Sequence, residues 1–569
     1  MRFHVTAAAS FLLAGSLALS GCSLLSGSDD AAPDPTPSST KPVSTALPST
    51  AWSPAPAADV AQGGTLRLAA TMLPTNFNPL QADSANSDAA RILAPTTGGA
   101  VRITADGGWT VDPDYARSVK VVDEDPLTIE VRLNRDAVWQ GGTSITAADM
   151  VAFWKAQNGS DDAYEVTSTA GYDAISAVTP SKSKFTYTVT FKKPTADWPQ
   201  YIYPRLAANA SSSAKLFNTG FRKRAISSNG PYIVRSIDTR KGVITLTRNP
   251  RWWGAPPKLA KITWNIADSA LQAKAFANGE LDAVDLDATT PDAVSAVKDV
   301  GTVQKAAGAE WSQITLNGGR GPLADEDVRR AVAMAINRQP IAQQAAAGLK
   351  APAAPLGSLL LVPGQKGYRD SSASIAYDPA AAEKLLAKAG YTKNASGLLE
   401  RKGKPLTLRL PVPRETPTNA ARAKLIVADL AKVGITVEVR DAPTGVDFYN
   451  QVVVPLDFDL VTFVRRASPF PLTSAAPRFF PLDSAQNFTG LGPARIGQGF
   501  DTVIGTLDDE LRLKRIAKLD EWLFDEVAVV PLAVTPLATA VGDRLVNYGA
   551  AQFEQPDWTT VGYLTKKDE

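Results

Sequence analysis

Residues 419–439, NAARAKLIVADLAKVGITVEV, contain the transition that decides the fold. Ile426, Leu430 and Val433 share one face of a helix, and Ile435 to Val439 then alternates with the period of a strand. Upstream, Asp378-Pro379 reads as an N-cap with proline at the first helical position. Ala382, Leu385, Leu386 and Ala389 follow at i, i+3, i+4 and i+7, and Gly390 ends the run. Helices that alternate with strands in this way predict an α/β sheet protein.

The same alternation extends outward. Residues 65–69, 127–133, 185–191 (FTYTVTF) and 243–247 have strand periodicity. Thr146 and Asp149 form a capping-box variant ahead of a helix carrying Val151 and Trp154. Ser269 is expected to cap a helix with Leu271 and Phe276 that stops at Gly279. Asp325 precedes a helix with Val328, Val332 and Ile336, and residues 510–527 place Ile516, Leu519, Leu523 and Val527 together. At 569 residues the chain is too long for one core, so two or more lobes are expected.

Composition narrows the chemistry. Lys and Arg total 59 against 57 Asp and Glu, which argues against a nucleic-acid binder. Cys22 and His4 are the sole cysteine and histidine, leaving no disulfide framework. Arg2, His4 and the apolar run 5–19 read as a signal segment, residues 1–21, too short for a confident membrane span. Leu19-Ser20-Gly21-Cys22 resembles a bacterial lipobox, which would lipidate Cys22; an ordinary secretory signal with a chance cysteine is the alternative. Processing would remove His4 and acylate Cys22. Histidine-based triads, zinc sites and acid–base pairs are then excluded, and no catalytic residue, metal or cofactor is expected. Residues 22–62, with prolines at 33, 35, 37, 42, 48, 54 and 56, read as a lipidated cysteine and a disordered tether, with the folded part beginning near Gly63.

Several blocks carry a family resemblance. In order they are Val138-Trp139-Gln140-Gly141-Gly142 with Ile145-Thr146-Ala147-Ala148-Asp149, then Asn229-Gly230-Pro231-Tyr232 and Arg248-Asn249-Pro250-Arg251-Trp252-Trp253-Gly254. Asn278-Gly279-Glu280-Leu281-Asp282, Leu316-Asn317 with Asp327-Val328-Arg329-Arg330-Ala331, and residues 382–391 follow. Together they resemble the oligopeptide- and dipeptide-type solute-binding proteins of bacterial ABC importers (family 5, cluster C). The blocks themselves read as mainly structural: Gly141 and Gly142 suit a turn, Trp252 and Trp253 suit a core, and Arg329 and Arg330 suit solvated or paired positions.

The resemblance implies a two-lobed periplasmic-binding-protein-like (type II) fold with an interlobe cleft that closes on its ligand. Lobe 1 would take residues 63–287, with an extra subdomain at about 80–205, lobe 2 residues 288–530, and residues 531–569 would return to lobe 1. It implies a monomer on the outer face of the cytoplasmic membrane, anchored at Cys22, that delivers peptides or peptide-like solutes to a permease without catalysing a reaction.

One departure bears on the ligand. Peptide-binding members follow the strand matching residues 458–464 with an Asp-rich turn that pairs with the peptide amine. Here Arg465 and Arg466 come next, and no acid lies between Asp459 and Asp483. Two guanidinium groups suit a carboxylate or phosphate, unless they face solvent or pair with Asp459. Arg478 is a third candidate. Asn76, Phe77, Trp109 and Trp311 match or neighbour cleft positions, with a core role as the alternative for each. A looser resemblance to an actinobacterial lipoprotein subgroup linked to lipoglycan synthesis implies a second function, in which an envelope lipoprotein binds a glycolipid or phosphoinositide without transport. A two-carboxylate glycosidase is the remaining alternative, and no acid pair in the sequence favours it.

Overall fold

The computed structural model describes residues 46–84, 87–290 and 293–566. The expected signal segment, Cys22 and most of the expected tether lie outside the described residues.

Residues 419–439 behave as their pattern predicts. The helix Pro417–Lys432 buries Ile426 and Leu430 and connects two parallel strands, Thr407–Pro413 and Thr436–Ala442. Ile426, Leu430 and Val433 are fully buried because this crossover presses one helix face onto the sheet. Around it, Glu326–Ala335, Pro379–Lys388, Ala494–Ile504 and Asp509–Glu526 close a core that runs from Trp311 to Leu532.

A separate core collects residues from Leu66 to Trp264, then Val541 to Val561. One of its sheets orders Thr65–Ala70, Lys261–Ile266, Val243–Arg248 and Tyr232–Asp238, with only the first pair parallel. The other is antiparallel, in the order Ala116–Glu124, Leu127–Leu133, Thr186–Phe191, Ile175–Pro180. Leu127, Ile129, Val131 and Leu133 all face inward, the period-two pattern of a half-buried sheet. The helix Ala147–Gln157 belongs to this core through Met150 and Phe153.

The motif block at 138–149 owes its spacing to one carboxylate. Asp149 is buried and accepts from the Trp139 indole N–H at 3.1 Å, the Ala208 N–H at 2.8 Å, the Thr146 N–H at 2.8 Å and the Thr146 hydroxyl at 3.0 Å. Gly142 turns the chain between them at φ +87°. Trp252 and Trp253 tilt against each other and pack on Tyr115, Trp253 edge-on, as half-buried side chains against the core.

A fourth sheet joins the two cores. Its order is Ala283–Asp285, Val529–Val541, Thr302–Leu316, Leu460–Arg466, all antiparallel. Its two central strands are 15 and 13 residues long, enough to touch both cores. Their register breaks between Ala306 and Glu310. Gly308 sits in that bulge, where a Cβ would come within 1.7 Å of the Thr535 carbonyl.

Three local expectations are corrected. The tether was expected to reach residue 62, but residues 46–62 lie along the body: Thr50 bridges Ala551, Val60 bridges Leu564, and the Ala307 N–H donates to the Pro48 carbonyl. The prolines that suggested disorder instead favour an extended chain, and Asn547 holds that chain through the Ala55 N–H and carbonyl. The helix at 269 begins one residue earlier than expected, with Asp268 in the N-cap position and Leu271 exposed. Arg329, expected to be solvated or ion-paired, is buried and donates to the carbonyls of Glu526, Leu323 and Ala324. Arg330 keeps an ion pair with Glu326.

Candidate functional site

A cleft of about 400 Å³ lies between the cores. Gly107, Trp109 and Asp197 line it from the first, and Lys366, Phe470 and Arg512 from the second. Hydrogen bonds cross it at its margins. The Thr473 N–H donates to Asp197 Oδ2 at 2.7 Å, the Ala196 N–H to the Ile504 carbonyl at 2.7 Å and the Lys366 N–H to the Asp106 carbonyl at 2.8 Å. Burial pushes the Asp197 carboxyl up from its ordinary value, while the Thr473 N–H opposes that shift. A roomier groove of about 530 Å³, lined by Phe221, Lys223, Arg224 and Arg235, draws every lining residue from the first core. Volume alone would favour that groove. Closure of two lobes on a ligand needs walls from both, which only the smaller cleft has.

The expected site residues separate. Trp109 lines the cleft, its ring edge-on to Trp198 at 5.2 Å. Asn76 is fully buried, donating to the Asn218 carbonyl at 2.7 Å and accepting from the Asn78 N–H at 3.0 Å, so its polar atoms are already used. Phe77 is a core side chain. Neither reaches the cleft, because the loop after the first strand turns inward here. Trp311 is also buried, at the wall of a third and much smaller pocket.

Arg465 and Arg466 do not form a pair. They are consecutive on a strand, so their side chains leave opposite faces. Arg466 is exposed and reaches Glu310 at 3.7 Å. Arg465 stands on the same face as Phe463, and its guanidinium lies 4.7 Å from the Phe463 ring and 5.7 Å from that of Phe488. Its companion is Arg478, at the end of the turn Ala476–Arg478. The two line a recess of about 10 Å³ with Trp311, Gln313, Thr315 and Thr489. Asp459, the acid nearest in sequence, is taken by Arg409 at 3.1 Å, and Asp457 by the same guanidinium at 2.7 Å.

Among the described residues neither Arg465 nor Arg478 has an ion-pair partner, and the Nε of each is buried without an acceptor. Burial lowers the pKa of Arg465. Burial first, then the charge of Arg465, pushes Arg478 down to about 10, which still leaves it cationic at neutral pH. Period-two alternation from Trp311 through Gln313 to Thr315 marks this recess in the sequence. Asp197, Lys366 and Arg512 have no local signal, since only tertiary contact brings them together. Among the described residues no three His, Cys, Asp or Glu side chains gather as they would around a metal ion. No described helix is long and apolar enough to cross a membrane.

With this geometry in place, comparison with known proteins is informative. The family model for bacterial extracellular solute-binding proteins, family 5 Middle, matches residues 110–484. The chain is 31% identical over 513 residues to the oligopeptide-binding protein OppA of Mycobacterium tuberculosis, covering 90% of this chain and 86% of that one. It is 24% identical over 402 residues to the probable monoacyl phosphatidylinositol tetramannoside-binding protein LpqW of the same species, covering 65% of this chain and 62% of that one. Among solved structures it is similar to the periplasmic EDTA-binding protein EppA, with a TM-score of 0.80 and 26% identity over 92% of this chain and 100% of that one. The architecture is thus the two-lobed α/β fold of periplasmic binding proteins, and the chain belongs to the bacterial extracellular solute-binding proteins of family 5.

Proposed function

We propose that this chain is the ligand-capturing lipoprotein of an ABC importer. It holds peptides or peptide-like solutes in the interlobe cleft and delivers them to a permease. The observation that carries this reading is the likeness to an oligopeptide-binding protein along 90% of the chain, joined to a cleft walled by both cores. Capture and release are the whole activity, and no bond is made or broken. Trp109 contributes an aromatic wall, whereas Asn76 and Phe77 serve the core of the first lobe. The sequence at Leu19 to Cys22 supports anchorage at Cys22 to the outer face of the cytoplasmic membrane, and a monomer suffices for the task. Residues 63–287 with 531–569, and 288–530, would move as the two lobes about the strands Thr302–Leu316 and Val529–Val541.

A second reading, an envelope lipoprotein that binds a glycolipid or phosphoinositide and regulates lipoglycan synthesis, draws support from the likeness to LpqW and from the unpaired arginines. Calorimetric titration with short peptides and with a phosphatidylinositol mannoside separates the two. Saturable peptide binding with no response to the glycolipid is expected, and the reverse would replace the first reading with the second.

A further inference from the structure

We propose that the recess between Arg465 and Arg478 is an anion subsite, in which the two guanidinium groups clasp one carboxylate or phosphate group of the captured ligand. This rests on the reading of the chain as a ligand-capturing protein and specifies the chemistry of what it captures.

The geometry gives three grounds. First, two cations share a recess that offers them no anion. The walls use their polar atoms on one another: Gln313 Nε2 donates to Thr315 Oγ1 at 2.7 Å, and the Thr489 hydroxyl donates to Asn487 Oδ1 at 2.6 Å. The neighbouring carboxylates are held elsewhere, Asp457 and Asp459 by Arg409 and Glu310 by Arg466. Both side chains are half-buried with Nε shut off from solvent, and two like charges crowded together favour an anion between them. Second, the guanidinium of Arg465 is fixed by the rings of Phe463 and Phe488, so its donors are held in place before any ligand arrives. Third, the volume of about 10 Å³ admits one oxygen-sized atom. That suits the tip of an oxyanion and excludes a whole solute.

The chain from 465 to 479 connects this recess to the cleft. Its ends, Arg465, Arg478 and Phe479, line the recess, and its middle, Pro469 to Leu472, lines the cleft. One loop therefore contributes to both the recess and the cleft. A free amine would be repelled at this position, and a peptide would be held by its C-terminal carboxylate or an acidic side chain.

The test is the thermal unfolding of the full chain with inorganic phosphate or citrate, for the wild type, Arg465→Gln, Arg478→Gln and Arg478→Lys. Both anions should raise the wild-type Tm. The rise should be lost in the two Gln variants and largely restored in Arg478→Lys. Without added anion the Gln variants should unfold no earlier than the wild type, since they remove an uncompensated charge. Pentaalanine and its C-terminal amide then distinguish the sources. A preference for the free acid of about tenfold, lost in Arg478→Gln, assigns the group to a peptide terminus. Equal binding of acid and amide with the phosphate response intact assigns it to a phosphate-bearing ligand. A wild type that ignores both anions, or Gln variants that respond as the wild type does, overturns the subsite. Peptide binding that persists in that case leaves the importer reading standing.

Discussion

Arg329 and Arg338 sit in the second lobe alongside Arg465 and Arg478, and burial lowers the pKa of all four. Their surroundings differ. Arg329 donates to three carbonyls, and Arg338 to the carbonyls of Leu356 and Pro531 and to the Ser372 hydroxyl. Each of these guanidinium groups ties helix ends and strand ends into the core. Arg465 has the faces of Phe463 and Phe488 beside it, and neither Arg465 nor Arg478 has an acceptor on Nε. A buried cation with its acceptors in place is a structural tie. A half-buried cation whose Nε lacks an acceptor is open to a partner that arrives from outside.

Substitution can break that comparison. The largest effect is expected from Arg329→Met, which strands three carbonyls and should cost about 3 kcal/mol in urea unfolding. Asp149→Ala should cost about 2–3 kcal/mol in the same measurement, because it leaves the Trp139 and Ala208 N–H groups without acceptors. Asp520 sharpens the contrast from the anionic side. It is buried, accepts from the Leu359 N–H at 2.8 Å, and burial pushes its pKa up to about 7 from 3.8. Its neutral form is thus the one the fold favours. That contribution is complete below about pH 4 and is lost as pH rises through about 7. Asp520→Asn should therefore gain on the wild type between those limits, by about 1–3 kcal/mol at pH 8. Arg478→Gln should leave stability unchanged or raise it by about 1 kcal/mol, opposite in sign to Arg329→Met. Arg466→Ala, which removes an exposed ion pair, should fall within about 0.5 kcal/mol of wild type.

Much of the architecture was legible because periodicity reports burial directly. The helix–strand unit at 419–439, the strand at 127–133 and the capped helix at 147 all follow their patterns. The site was harder to read, since a cleft is made by residues distant in sequence. Asn76 and Phe77 matched a cleft position by their place after the first strand, yet the loop there packs inward. Reading Arg465 and Arg466 as a pair ignored strand alternation, which sends one to Glu310 and the other toward Arg478. The prolines of 46–62 were read as disorder, because composition does not reveal whether an extended chain is docked.

Native mass spectrometry of the full-length chain purified from its own host tests the central claim most directly. The account predicts adducts of peptide or peptide-like mass carrying a free acid group, retained by the wild type and depleted in Arg478→Gln. A glycolipid adduct without peptides would contradict the importer reading, and peptide adducts equally abundant in both proteins would contradict the role given to the arginines.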